Sequence, residues 1–144
     1  MIDTFETLKV PGPIPTTVSR PFWQTARDRE LHLQHCDTCD KWIFYPRMIC
    51  PYCWSDALSW RVASGCGHLQ SFTEIYRPGH PGWQPAAPYT LGLVRLVEGP
   101  TMLSLVTASF PSRLTVGMPL RVMFVPIGDF VLPVFKGEED YQVT

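Results

Sequence analysis

The sequence has no long apolar run, almost no net charge and none of the short signatures that mark the common enzyme classes. No stretch approaches the about 18 consecutive apolar residues that a membrane-spanning helix needs. The opening Met1-Ile2-Asp3-Thr4-Phe5-Glu6 has neither the basic start nor the apolar core of a signal peptide. Twelve Lys and Arg against thirteen Asp and Glu leave a formal charge of -1 over 144 residues. That balance argues against a broad nucleic-acid surface, which needs clustered cations. G-x-S-x-G, a Walker loop, G-x-G-x-x-G and H-E-x-x-H are all absent. Long helices are also excluded, because fifteen prolines and ten glycines cut the chain into short pieces. The 45% hydrophobic share still supports a packed core. The length suits one compact domain, or a small domain joined to a metal-stapled module.

What is present centres on cysteine. A cytoplasmic setting keeps thiols reduced, so cysteine pairs point to metal rather than disulfides. Cys36-Asp37-Thr38-Cys39 and Cys50-Pro51-Tyr52-Cys53 are two CxxC knuckles with ten residues between them. Two knuckles offer four soft sulfur ligands in a tetrahedron, the preference of zinc. Iron is the competing ion, since rubredoxins share the CPxC knuckle, but Asp40 and Trp54 stand where rubredoxin knuckles usually carry glycine. With all four positions filled by Cys36, Cys39, Cys50 and Cys53, no place is left for water or substrate, and such a site is structural. Zn2+ with four thiolates contributes -2, taking the formal charge from -1 to about -3.

Along the chain, residues 1–18 carry Pro11, Pro13 and Pro15 and read as an extended arm. Ser19 can cap a short helix with Pro21 in its first turn and Phe22, Trp23 and Ala26 on one face. Leu31–His35 alternates with period two, and Trp42–Tyr45 reads as a second short strand stopped by Pro46. Five further strands are expected at His68–Tyr76, Tyr89–Val97, Thr101–Phe110, Pro119–Val125 and Phe130–Phe135, with Glu98-Gly99-Pro100 as a hairpin turn and Arg77–Pro88 as a long loop. Five strands with one long connection suit an OB barrel. The fold class is therefore mainly β. Residues 1–30 form an N-terminal helical arm, 31–64 a rubredoxin-like zinc ribbon, and 65–144 a five-stranded OB-fold domain.

No residue set reads as catalytic. Cys66 lies between Gly65 and Gly67 with His68 two residues on, but the glycines more simply mark the start of a strand. His32, His35 and His80 read as packing or surface residues, and the carboxylates Glu138-Glu139-Asp140 as a solvated tail.

The ordered run Pro21-Phe22-Trp23, Leu33-Gln34-His35-Cys36-x-x-Cys39, Tyr45-Pro46-Arg47-x-x-Cys50-Pro51-x-Cys53 and Gly67-x-x-x-Ser71-Phe72-Thr73 resembles the zinc-ribbon/OB-fold acyl-CoA-associated proteins. That family was long catalogued as a domain of unknown function. Gly117-x-Pro119-x-Arg121-Val122 and Leu132-Pro133-Val134-Phe135 look like its closing strands, so the resemblance covers residues 15–137. It implies a non-catalytic accessory subunit beside a thiolase-like enzyme (acyltransferase or aldolase) or a hydratase-like one, in which the partner holds the catalytic groups. It also implies coenzyme A or an acyl-CoA as a shared ligand. Arg47, Arg77 and Arg95 are then the candidates to meet phosphates, and Trp83, in its Pro/Gly loop, the candidate wall of an acyl groove. Two other readings stand beside this one. The first is a single-stranded nucleic-acid module, which needs a basic groove that the scattered Arg77, Arg95, Arg113, Arg121 and Lys136 do not supply. The second is a free-standing enzyme using Cys66.

Overall fold

A computed structural model describes residues 5, 7–108 and 114–138. The outer part of the strand expected over Thr101–Phe110, Arg113 and the acidic pair Glu139-Asp140 lie outside the described residues, as do Met1–Thr4 and Glu6 of the arm. The arm turns at Phe5–Leu8, where Leu8 N–H donates to Phe5 O at 3.2 Å, and runs without regular structure over residues 8–16, with Phe5 and Leu8 buried.

Helix α1 spans Arg20–Arg27 and begins, as expected, with Pro21 in its first turn. Ser19 occupies the cap position, but its hydroxyl does not cap the helix amides. It accepts instead from the Thr16 amide at 2.9 Å, while Thr16 Oγ1 accepts from the Ser19 amide at 3.1 Å, so the serine is spent on the turn before the helix. Phe22 and Ala26 form the buried face.

The ribbon is a three-stranded antiparallel sheet in which β1 (His32–Cys36) lies between β2 (Trp42–Ile43) and β3 (Leu58–Val62). β2 is shorter than its sequence suggests because Phe44 and Tyr45 leave the sheet to stack on Phe22, at 5.8 and 6.2 Å between ring centres. β3 was not anticipated, although Leu58-Ser59-Trp60-Arg61-Val62 does alternate.

The remaining five strands close a barrel in the order β4-β5-β6-β8-β7. They are β4 (Cys66–Ile75), β5 (Tyr89–Leu96), β6 (Thr101–Thr107), β7 (Pro119–Ile127) and β8 (Phe130–Gly137). β7 returns to β4 through Cys66↔Arg121, Gly67↔Leu120 and His68↔Pro119. β6 and β8 run parallel and pair only at Val106↔Phe135 and Thr107↔Lys136. The long Arg77–Pro88 loop carries a 3-10 helix over Pro81–Ala86, started by the Gly82 amide donating to His80 Nδ1. Among the described residues no helix is long and apolar enough to cross a membrane.

Two large buried clusters and a small one in the ribbon fill the described structure. One unites α1, the ribbon and the near half of the barrel: Phe22, Leu31 and Leu33 meet Leu69, Val94 and Phe135, with Trp23, Trp42 and Trp60 packed around them. The other sits under the arm, where Phe5 and Leu8 meet Leu105, Val125, Ile127 and Val134, with Trp83 and Tyr89 at its edge. Three of the five tryptophans therefore glue the ribbon and helix to the barrel.

β4 bends through a register shift between Leu69 and Ser71, which drives its backbone toward β5. At Gly92 an added Cβ would lie 2.7 Å from Val106 Cγ2 and 2.9 Å from Leu69 Cδ1. Val106 is β-branched, Leu69 is fully buried, and the Ser71 carbonyl oxygen would stand 3.3 Å from the same Cβ, so there is little room to yield. Gly92→Ala should therefore destabilise the fold by about 2 kcal/mol through overpacking. An unchanged midpoint in urea unfolding would refute that account of the packing at Gly92.

Candidate metal centre and surface clefts

Each knuckle is built by the same backbone bonds. In the first, the Asp40 amide donates to Cys36 O at 2.8 Å and the Cys36 amide to Lys41 O at 2.8 Å; in the second, the Trp54 amide donates to Cys50 O at 2.9 Å and the Cys50 amide to Ser55 O at 2.8 Å. Closing so tight a turn requires the fourth residue after the first cysteine to be left-handed. Asp40 and Trp54 both comply, with φ of 62° and 68°. A non-glycine residue there costs about 1–2 kcal/mol.

The knuckles bring all four Sγ atoms within 4.8 Å of one another. Cys36 and Cys53 are 3.5 Å apart, and Cys39 and Cys50 3.6 Å. A regular tetrahedron with metal–sulfur bonds of about 2.3 Å spaces its sulfurs about 3.8 Å apart, so the four thiols fit zinc. Their electrostatics point the same way. The Cys39 amide, helped by Thr38, holds the Cys36 thiol down to about 6 against the opposing effect of burial. Burial pushes the Cys39 thiol up to about 12. The Ser55 amide pulls Cys53 down, but burial and the shared hydrogen bonds with Cys36 and Cys50 leave it raised. Such thiols do not ionise together unless a cation sits among them.

The surrounding polar groups fix the first knuckle. His35 is buried, with Nδ1 3.1 Å from Asp37 Oδ1 and Nε2 2.7 Å from Asp40 Oδ1. The His35 ring, followed by the Ser59 hydroxyl donating at 2.9 Å, holds the Asp37 carboxyl below the usual range. Buried Gln34 clamps the loop after β2: its Nε2 donates to Arg47 O at 2.8 Å, and its Oε1 accepts from the Arg47 amide at 2.7 Å.

The structure does not gather the arginines singled out for phosphates. Arg47 is exposed on the ribbon. Arg95 is exposed on β5 between His68 and Thr101. Arg77 lies past the far end of β4, where Ile75 pairs with Tyr89. Six strand residues, about 20 Å, separate that end from Arg95, so no single phosphate meets both. The Trp83 ring packs between Phe5 at 6.5 Å and Tyr89 at 5.6 Å, and it lines an apolar groove of about 230 Å³ with Leu91, Leu103, Leu105 and Leu132. A second groove of about 280 Å³ continues along the same β6–β8 seam past Phe22, Trp23, Phe44 and Tyr45.

A cationic cleft escaped the sequence reading. Lys9 from the arm and Arg20 and Arg27 from α1 surround a space of about 660 Å³ against the β7–β8 turn, with Trp23 as one wall. These residues are far from that turn in sequence, and nothing short of the arm's path over the barrel would have paired them. Among the described residues the Cys66 sulfur has no histidine partner and lies 3.9 Å from Ser64 O. Gly67 beside it is demanded by packing, since a Cβ there would lie 2.7 Å from Arg95 O.

Residues 23–59 match the rubredoxin-like zinc ribbon domain of ChsH2, and residues 60–125 its C-terminal OB-fold domain. A DUF35 domain-containing scaffold protein of Pyrococcus furiosus is 32% identical over 117 residues, covering 81% of this chain and 84% of that protein. The chain belongs to the DUF35 family. This DUF35 chain also superposes on a chain of the Ltp2-ChsH2(DUF35) aldolase with a TM-score of 0.78 at 27% identity, covering 88% of this chain and 98% of the other. It is 30% identical over 121 residues to the 3-oxo-4,17-pregnadiene-20-carboxyl-CoA hydratase alpha subunit of Mycobacterium tuberculosis, covering 82% of this chain and 37% of that protein. It thus spans little more than a third of the length of the hydratase alpha subunits it matches.

Two outcomes follow for the metal centre of this DUF35 protein. Cys50→Ser should lower bound zinc from about one ion per chain toward zero and loosen the ribbon ahead of the barrel. Zinc analysis and thermal melts check this, and unchanged values in both would rule out the four-thiolate site. Trp54 is 80% exposed and carries left-handed strain with no side-chain hydrogen bond among the described residues, whereas the Asp40 side chain gains His35. Trp54→Gly should accordingly stabilise the zinc-loaded protein by about 0.5–1 kcal/mol, while Asp40→Gly should not. A lower melting temperature for Trp54→Gly would contradict the strain assignment.

Proposed function

We propose that this DUF35 chain is a non-catalytic accessory subunit of an acyl-CoA-processing enzyme, docked on a thiolase-like or hydratase-like partner that supplies the reacting groups. The observation that carries the reading is the match over nearly the whole of a chain from the Ltp2-ChsH2(DUF35) aldolase, at a TM-score of 0.78. The hydratase alpha subunit among its relatives acts on a CoA ester, which points to the same substrate class. The chemistry of the chain agrees. Catalysis of acyl transfer or hydration needs a nucleophile or base within hydrogen-bond reach of a partner. Among the described residues no Ser or Cys side chain is bonded to a histidine: His35 is held by Asp37 and Asp40, His80 by the Gly82 amide, and His32 faces Glu30. Four of the five thiols are grouped in one centre, and the sulfur of the fifth, Cys66, lies against Ser64 O. The zinc, in this reading, stiffens a docking module and takes no part in the reaction.

The test is purification of the tagged chain from its host at native expression level, followed by mass spectrometry and size-exclusion chromatography. A thiolase-like or hydratase-like subunit should co-elute in fixed ratio, and the partner's turnover of its acyl-CoA should fall when this chain is left out. Recovery of the chain alone would overturn the proposal, and so would a partner that works equally well without it.

A further inference from the structure

We propose that the cleft between the arm, α1 and the β7–β8 turn binds the phosphate-bearing nucleotide end of a coenzyme A ester. Trp23 then guides the rest of the ligand into the apolar groove on its other side. This assignment rests on the acyl-CoA reading above and gives it a location.

Charge is the first argument. Lys9, Arg20 and Arg27 line the cleft, and Asp129 is the one acidic residue among its lining. Neither the Lys9 nor the Arg20 side chain has a hydrogen-bond or ion-pair partner among the described residues. Three cations lining one cleft with a single carboxylate among them leave it net positive, an arrangement that an anion relieves. Arg27 is already oriented, since its Nη2 donates to Asp129 O at 2.8 Å and so lies against the turn that floors the cleft. A guanidinium held in this way still has donors left for a phosphate.

The indole of Trp23 is the second argument. Its Nε1 is buried and has no acceptor. A buried donor left unpaired is costly, so an indole that turns to meet a ligand oxygen gains a bond that the free chain lacks. Trp23 lines both the cationic cleft and the apolar groove with Phe22, Phe44, Tyr45 and Leu132, so it is the wall the two share. A charged chamber beside an apolar one matches a molecule that is polyphosphate at one end and acyl at the other.

The third argument is that the cleft is already formed. Phe5 and Leu8 anchor the arm in the core. A Cβ on Gly12 would lie 2.8 Å from the Phe130 ring, and one on Gly82 2.5 Å from Lys9 O, so the arm is seated in close contact on both sides. A preformed cleft spares the ligand the entropy of ordering its own site.

Calorimetry on the full zinc-loaded chain tests the assignment, with coenzyme A, butyryl-CoA and phosphate-free pantetheine as probes. Coenzyme A and butyryl-CoA should bind and pantetheine should bind at least tenfold more weakly. Affinity for coenzyme A should fall as salt rises from 50 to 200 mM. Arg20→Glu should weaken coenzyme A at least tenfold. Because Arg20 is exposed and without a side-chain partner, its melting temperature should stay at the wild-type value. Lys9→Glu should act in the same direction, Trp23→Phe should weaken binding while keeping the packing, and Arg95→Ala, away from the cleft, should leave it unchanged. Equal affinity in Arg20→Glu and wild type would overturn the placement, as would equal binding of pantetheine or no binding to the wild-type chain. None of those results touches the accessory-subunit reading, which stands or falls on the co-purified partner. Conversely, a chain that binds coenzyme A in this cleft but purifies without a partner would defeat that reading and leave the cleft in place.

Discussion

The ribbon's own core consists of two cysteines and an isoleucine: Cys36, Ile43 and Cys50, with Cys39 and Leu58 against them. So small an apolar cluster cannot offset the entropy of ordering some thirty residues, and the sulfur-bound ion has to supply the difference. Other features hang from it. The knuckles aim β1 and β2, β1 carries Leu33 into the main core, and the chain leaving β2 delivers Phe44 and Tyr45 onto Phe22. Gln34 fixes that delivery by gripping Arg47 from both sides of its peptide unit. A metal with no place for substrate thereby shapes one wall of the apolar groove from a distance.

Rigidity at the knuckles is bought with backbone strain at Asp40 and Trp54, and the two residues differ in what they gain. Asp40 gains a bond to a buried histidine that in turn reaches Asp37, which also takes bonds from Ser59 and Arg61 on β3. This chain of bonds ties the first knuckle to the far strand of the sheet. Trp54 gains only the backbone bond of the knuckle, and its side chain has no hydrogen bond among the described residues. A large exposed aromatic kept in a strained turn is placed as an interface anchor would be, in line with an accessory subunit.

Local chemistry made much of this legible in the sequence. Paired CxxC spacing is a contact map in miniature, since thiolates three residues apart on a tight turn reach one ion. Period-two alternation marked the barrel strands because one face of each is buried. β3 went unread because five residues after a knuckle carry too little pattern to stand out. Ser19 looked like a helix cap, and it is diverted by Thr16, a competition between two short-range bonds that sequence alone does not rank. The arginines are the sharper lesson. Arg47, Arg77 and Arg95 were chosen by their places along the chain, and the fold sets them on the ribbon, beyond the far end of a hairpin and near its start. Lys9, Arg20 and Arg27 come together because the arm and α1 cross the β7–β8 turn, a contact between residues 102 positions apart at Arg27 and Asp129. Nothing in a local window encodes that.

The groove itself follows from a single imino acid. A residue in a strand points its N–H and C=O to the same side, and Pro133 O accepts from Ser104 Oγ of β6 at 3.1 Å. The side of Pro133 that faces β6 is therefore the side on which proline has no donor. The parallel ladder between β6 and β8 forms only beyond this point, at Val106↔Phe135 and Thr107↔Lys136. Before it, the serine hydroxyl makes the crossing bond that a backbone amide would have made, and the strands stand apart far enough for Leu103, Leu105 and Leu132 to line an open seam. A fully paired barrel exposes its outward apolar side chains singly and offers no continuous groove between neighbouring strands. By withholding one N–H, Pro133 lets this barrel stay closed at one end and present an apolar channel at the other, and α1 lays Trp23 across that channel with the cationic cleft directly behind it.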